Sequence, residues 1–250
     1  MSAESANLPM TKLNADNLRV QVIHYTKLAE RRPHSEGILA ETGLNAFPVR
    51  WVTEWDREAV LDNGRYERGE WGEPRKIAAG SISLILKHVS AWESVMGEPN
   101  CWHLILEDDL LVPPRSGKSW IADLEQILNQ LPADNWDLVF VGLGCDLHVP
   151  WWRRLGKVGA RVYWRGWRPQ RTWGGGGCSR CTEAYLIHPA FARRLLDSQW
   201  SKPPFDRPID WLLNGAGVEF KARSYWVEPP LVTQGAFESW TKDRSLNPGT

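Results

Sequence analysis

A single α/β domain built on a mainly parallel sheet is the fold that the sequence predicts. Short β-branched and apolar runs alternate along the chain with longer stretches of helical period, the pattern of strands covered by helices on both faces. The chain shows no internal repeat, and 250 residues with 42% apolar and 24% charged content suit one sizeable globular core.

The elements follow in order. Residues 19–25 (RVQVIHY) read as a first buried strand, and 26–42 have helical composition with Gly43 as a stop. Residues 47–52 are a second strand, whereas 56–76 carry Gly64, Gly69, Gly72 and Pro74 and read as an irregular surface insertion. Apolar positions 82, 85, 86, 89 and 92 mark one face of a helix over 78–95. A strand over 103–106 runs directly into Glu107-Asp108-Asp109, and Pro113-Pro114 then break the chain. An amphipathic helix over 120–131, a fully apolar strand over 138–143 and a strand over 184–188 come next. A helix over 189–199 has Pro in its first turn, and 208–214 open one more short helix.

Residues 1–18 are polar, without the basic start and apolar core of a secretory leader, and read as a flexible tail. The domain is then expected over 19–245, with an acceptor-side insertion at 146–182. No run of about 18 apolar residues exists to span a membrane. Four Cys make no disulfide framework in a chain of this length, and the lone Cys178-x-x-Cys181 pair lacks the partners of a structural zinc site. Free thiols and a cytoplasmic setting are the expectation. Sixteen Trp is an unusually large number, and Trp is suited to stacking on sugar or base rings.

Ligands of open α/β sheets gather outside the carboxyl ends of the strands. Three carboxylates converge there in Glu107, Asp108 and Asp109. Adjacent like charges are unfavourable unless a cation sits among them, and hard divalent ions such as Mn²⁺ or Mg²⁺ take one or two carboxylates plus substrate phosphates. A solvated acidic turn is the alternative reading. Side chains of an extended segment alternate, so Glu107 and Asp109 are expected as metal ligands on one face. Asp108 then points to the other, towards donor hydroxyls or as a backbone cap.

At this point the chain resembles glycosyltransferase family 25, the lipopolysaccharide and procollagen sugar transferases, over about residues 20–245. Leu104-Ile105-Leu106-Glu107-Asp108-Asp109 is similar to the family's strand and acidic metal-binding motif. Gly80-Ser81-Ile82-Ser83 through Lys87-His88-Val89-Ser90-Ala91-Trp92-Glu93 resembles its helix with a Ser-His pair and a Trp. Trp136 to Gly142, Thr182-Glu183-Ala184-Tyr185-Leu186-Ile187, Pro208-Ile209-Asp210 and Pro230-Leu231-Val232-Thr233-Gln234 resemble its later segments, in the same order. The family commonly has Asn-Leu where His24-Tyr25 follow the first strand here, and 145–180 have no recognisable counterpart. The resemblance implies a GT-A-like, Rossmann-related fold and a UDP-sugar donor.

The leaving diphosphate needs its developing charge met, which a bridging metal supplies as a Lewis acid. Arg31 and Arg32 could reach a phosphate or uracil edge, and His24, Tyr25, Ser83, His88 and Asp108 complete the expected donor site. Arg residues solvated on a helix face and a packed His88 are the plainer alternatives. Inversion needs one carboxylate base opposite the leaving group. Asp210 is the first candidate, with Trp211 as a platform for a sugar ring, and Glu183 the second.

Residues 151–171 hold seven basic residues (Arg153, Arg154, Lys157, Arg161, Arg165, Arg168, Arg171) and no acidic ones, with Trp151, Trp152, Tyr163, Trp164 and Trp167 interleaved. The chain's formal charge is zero, so 0 − 7 leaves the remainder at −7. Such a segment suits a polyanionic acceptor, with Arg161, Trp164, Arg165, Trp167 and Arg168 as contacts. An anionic glycolipid would be met equally well, and a loop with packed Trp and solvated Arg is the simplest alternative. Glycines 174–177 look like a hinge for closure after donor binding.

The expected function is metal-dependent, inverting transfer of a hexose from a UDP-sugar to an acceptor hydroxyl. A 5-hydroxymethylated pyrimidine in DNA is the most specific version of that acceptor; a glycan, a glycolipid or a hydroxylated protein side chain are the alternatives. A sugar- or nucleic-acid-binding module without turnover is the non-catalytic one.

Overall fold

The computed structural model describes residues 12–62, 77–114, 119–133, 135–144, 147–149, 151–153, 155–156, 159–164, 180–235 and 237. β1 (Leu18–Ile23) leads through two turns into α1 (Arg31–Thr42). The helix begins later than composition suggests, because Pro33 is accommodated in its first turn, where a missing N–H costs nothing. Gly43, at φ 78°, closes it by donating its N–H to the Ala40 carbonyl, a left-handed cap that glycine adopts without strain.

β2 (Val49–Val52) follows, and then α2 (Arg57–Asp62), a short helix inside the segment expected to be irregular; 63–76 lie outside the described residues. Val60 is the apolar anchor of α2 and is fully buried, so two turns of helix form where Gly and Pro are still absent. α3 (Ala79–Gly97) is the longest helix described, followed by β3 (Trp102–Glu107) and β4 (Leu110–Leu111). α4 (Trp120–Leu128) is capped by the Ser119 hydroxyl, which accepts the Ala122 N–H.

The apolar 138–143 run divides into β5 (Leu138–Phe140) and β6 (Gly142–Leu143). β7 (Arg161–Trp164), β8 (Ala184–Ile187), α5 (Pro189–Asp197), α6 (Ile209–Glu219), β9 (Ser224–Glu228) and β10 (Val232–Gln234) complete the order.

Seven strands form one sheet in the order β2-β1-β3-β8-β5-β9-β7. β1 runs parallel to β2 and β3, β5 parallel to β9, and β8 antiparallel to both β3 and β5. Five strands therefore point the same way, and only β8 and the edge strand β7 oppose them. A second sheet, β4-β10-β6, ties together the chain just beyond β3 and β5.

Alternation along each strand distributes apolar side chains to two layers. Ile23, Ile105, Phe140, Tyr185 and Ile187 face a core with α3, α5 and α6. Val20, Val22, Leu104, Leu106, Val139 and Leu186 face a second core with Leu39 of α1 and Leu124 and Ile127 of α4. The protein is thus a three-layer α/β domain. No helix among the described residues is long and apolar enough to cross a membrane.

Candidate active site

β1 and β3 are parallel and in register, pairing Ile23 with Glu107, so His24 and Asp108 leave the sheet side by side. β8 enters from the opposite direction: Glu107 N–H donates to the Glu183 carbonyl, which brings Thr182 and Glu183 to the same sheet end. β10 lies beyond, pairing Gln234 with Leu110. Four chain segments thus converge outside the carboxyl end of β3, where α/β sheets place their ligands.

Asp108 faces α1. Arg31 Nη1 donates to its Oδ1 at 2.8 Å, His24 Nδ1 lies 2.8 Å from Oδ2, and the Tyr25 N–H donates to Oδ2 at 3.3 Å. The Ser35 hydroxyl donates to the Asp108 carbonyl. All of these side chains are buried. Asp108, Arg31 and His24 therefore spend their polar groups on fastening the turn after β1 and the start of α1 to the end of β3. Arg32 stacks on Trp51 at 3.5 Å and pairs with Glu36, on the outer side of the helix.

Glu107 faces α3 instead. Its Oε1 accepts the Thr182 hydroxyl at 2.7 Å and lies 3.6 Å from His88 Nε2. His88 is fully buried, with Nδ1 2.9 Å from the Tyr185 hydroxyl. The Trp92 indole N–H donates to that same hydroxyl at 2.9 Å.

Ser83 and Lys87 lie one helical turn apart on α3 and brace the loop after β2. The Ser83 hydroxyl donates to the Trp55 carbonyl, and Lys87 Nζ donates to the Glu54 carbonyl at 2.9 Å and to Asp56 at 2.7 Å. Trp55 has φ 65°, a left-handed conformation costly for a bulky residue and held by these contacts. Asp56 in turn accepts from Thr26, while the Tyr25 hydroxyl donates to Glu58 at 2.6 Å. Burial pushes the Lys87 ammonium below its ordinary value, with Asp56 opposing.

Three further carboxyls sense Glu107. Burial, and then the Glu107 charge, push Asp109 up to about 7, against the pull of Arg31 and the Gln234 amide. Gln234 donates to Asp109 Oδ2 at 3.2 Å, while the buried Oδ1 has no partner among the described residues. Glu183 is fully buried with neither carboxyl oxygen hydrogen-bonded among the described residues, and burial raises it well above the usual carboxylate range, helped by Glu107 and Asp109. It lies against Gly142 and Gly144, where an added Cβ would come within 2.3 Å of Glu183 Oε1 and of Cys181 Cβ respectively. Only glycine fits there. Asp210, at the start of α6, is raised first by burial and then by Glu107.

Among the described residues no group of three or more His, Cys, Asp or Glu side chains is placed to hold a metal ion on its own. Glu107 and Asp109 nevertheless offer two oxygen donors of the hard kind that Mn²⁺ and Mg²⁺ prefer. Asp109 Oδ1 is buried without a hydrogen-bond partner among the described residues, which leaves it open to a further ligand.

On the far side of the sheet, Arg161 and Trp164 lie on edge strand β7, with Trp164 59% exposed. Trp211 follows Asp210 and is 36% exposed. Arg165, Trp167, Arg168, Cys178 and glycines 174–177 lie outside the described residues. Both stems of the insertion meet at Glu228, the last residue of β9. Its carboxylate accepts from Arg180 Nη2 and from the Val149 N–H at 3.0 Å, with His148 Nδ1 3.2 Å away. Arg180 and Glu228 are both fully buried.

Sequence reasoning missed Thr182 and Gln234 as partners of the acidic groups, and Tyr185 and Trp92 as partners around His88, although all four sit in the motifs above. Gly142-x-Gly144 after an apolar run was a signal of close backbone approach. Nothing in the sequence marked Arg180 and Glu228 as partners 48 residues apart.

No family model matches the chain, and no curated protein matches it. The resemblance to family 25 therefore rests on the motifs quoted above. Among solved structures, the chain is similar to a glycosyltransferase involved in the glycosylation of the major capsid of PBCV-1. The identity is 10% and the TM-score 0.46, with 89% of this chain and 94% of that one covered.

Proposed function

We propose that the protein is a divalent-metal-dependent glycosyltransferase that moves a hexose from a UDP-sugar to an acceptor hydroxyl with inversion. The observation that carries this reading is the pair Glu107 and Asp109 at the end of β3. Oδ1 of Asp109 is buried without a partner among the described residues, and the charge of Glu107, whose Oε1 accepts from Thr182, raises the Asp109 carboxyl. Two like charges at such a site are stable together when a cation lies between them. Mn²⁺ or Mg²⁺ held there would neutralise charge on a departing diphosphate.

The remaining groups suit the other parts of such a reaction. Asp210 is the base in this reading: its carboxyl is raised by burial and by Glu107, which favours taking up the acceptor's proton. Glu183 is fully buried and too enclosed to meet an acceptor without movement, which makes it the second candidate for the base. Trp211 beside Asp210 offers an exposed ring on which an acceptor can stack.

The acceptor is proposed to be polyanionic, met by Arg161 and Trp164 with Arg165, Trp167 and Arg168, and a 5-hydroxymethylated pyrimidine in DNA is its most specific form. A hydroxymethyl group is a primary alcohol, and a base turned out of the helix could stack on a Trp. The test of the reaction class is UDP release from a panel of UDP-sugars, with Mn²⁺ and with EDTA. Release with one donor that stops in EDTA is the expected result, and no release from any donor removes the transferase reading.

A further inference from the structure

Behind Glu107 stands a chain of three side chains, Trp92, Tyr185 and His88, that the proposed reaction leaves unused. Trp92 Nε1 is a donor only, so its 2.9 Å contact with the Tyr185 hydroxyl makes that oxygen the acceptor. The Tyr185 O–H is then directed at its other neighbour, His88 Nδ1, 2.9 Å away. An Nδ1 that accepts leaves the ring proton on Nε2. That nitrogen is buried, has no hydrogen-bond partner among the described residues, and lies 3.6 Å from Glu107 Oε1. Thr182 donates to the same oxygen.

We infer that Trp92 and Tyr185 fix His88 as its Nε2–H tautomer, and that this N–H, facing Oε1 of Glu107 beside the Thr182 hydroxyl bond, makes His88 a positioning residue that would leave Oε2 for a cation. The inference rests on the metal reading above for its consequence but not for its geometry. A carboxylate free to rotate would offer either oxygen, or both, and would lose entropy on binding. Donors on one oxygen preset the other, as outer partners of metal ligands commonly do. The Trp92, Tyr185 and His88 side chains are all fully buried. The chain is therefore held by the core that joins α3 to β8 and does not depend on solvent.

The test uses the full-length protein with nitrogen-15-labelled histidine, metal-free and at neutral pH. Long-range proton–nitrogen correlation is expected to show His88 as the Nε2–H tautomer in the wild type and as a mixture in Tyr185→Phe. An Nδ1–H wild type, or a Tyr185→Phe variant that stays purely Nε2–H, overturns the inference. The second arm is Mn²⁺ binding by calorimetry. His88→Gln keeps an N–H donor near the Nε2 position and is expected to bind close to wild type, whereas His88→Leu should bind about 10-fold more weakly. A packing role predicts the reverse order, since Leu suits an apolar site better, and that order overturns the inference. If the wild type binds no Mn²⁺, the proposed function fails while the tautomer arm still decides the relay. If Tyr185→Phe does not fold, the Gln and Leu variants carry the decision.

Discussion

Arg31 and Asp108 meet at 2.8 Å with both side chains 2% exposed, and the second oxygen of Asp108 is taken by His24 and the Tyr25 N–H. This triad joins three elements through one carboxylate. Asp108→Ala is expected to destabilise the fold by about 3–5 kcal/mol, because it breaks the buried ion pair with Arg31. The double change Arg31→Met with Asp108→Leu should lose much less. Urea unfolding of both variants checks this, and equal losses would show that packing rather than charge holds the turn.

Asp109 behaves oppositely. Asp109→Asn is expected to lower donor turnover by orders of magnitude while leaving the metal-free fold as stable as the wild type or more so. It removes a strained charge rather than a supporting one. Undiminished activity in this variant, or in the wild type with EDTA, ends the metal reading.

The same residue sets a pH dependence. Its carboxyl stands at 3.8 ordinarily and about 7 in the fold, so the folded state binds the proton more tightly than the unfolded one. Its stabilising contribution is complete below the ordinary value and is lost as pH rises through the folded one. The full span corresponds to on the order of 4 kcal/mol as an upper figure. Glu183, raised for the same reason, acts with the same sign. Melting temperature without metal should therefore fall from pH 5 to pH 8, and Mn²⁺ should restore it at the upper end. A flat or rising profile without metal would contradict the burial of these carboxyls.

Asp210→Asn should abolish transfer while leaving UDP-sugar affinity nearly unchanged, since a general base acts in the transition state. Glu183→Gln should retain measurable transfer. A dead Glu183→Gln beside an active Asp210→Asn reverses the two assignments, and two active variants place the base elsewhere.

On the acceptor side, replacing Arg161, Arg165 and Arg168 with Ala should weaken binding of duplex DNA and flatten its salt dependence, without changing donor hydrolysis. Gel shifts and sugar transfer on duplexes with and without 5-hydroxymethyl pyrimidines check this. No shift at low salt and no transfer eliminate DNA and leave glycan, glycolipid or protein acceptors.

The sheet was legible in the sequence where strands are apolar runs, as in β3, β5 and β8, or rich in β-branched residues, as in β1. β9 (SYWVE) and the edge strand β7 (RVYW) carry polar and charged residues and give no such signal. β4 and β10 are two and three residues long and exist through pairing, which no local pattern encodes. At the site, the acidic run was visible, but the division of labour within it was not. Alternation sent Asp108 towards α1 and Glu107 towards α3, as an extended segment requires. Asp109 lies in the turn beyond β3, where alternation no longer applies, and its neighbour is Gln234, 125 residues later. Arg31, His24 and Ser83 carry the residue types of a ligand site yet find partners within the chain, a distinction that only tertiary contacts make.

The clamp at Glu228 has a consequence for how this protein can change over time. The chain passes Glu228 at His148 and Val149, adds β7 to the edge of the sheet, and meets the same buried carboxylate again at Arg180. The return from β7 is thus fixed at both ends, at Trp164 by strand pairing and at Arg180 by the clamp. Altering the length of chain between those two points then adds loop-closure entropy of about 0.6 kcal/mol for each doubling. New acceptor preferences could thus be acquired by exchanging that stretch alone, while β7, β3 and its acidic terminus stay untouched.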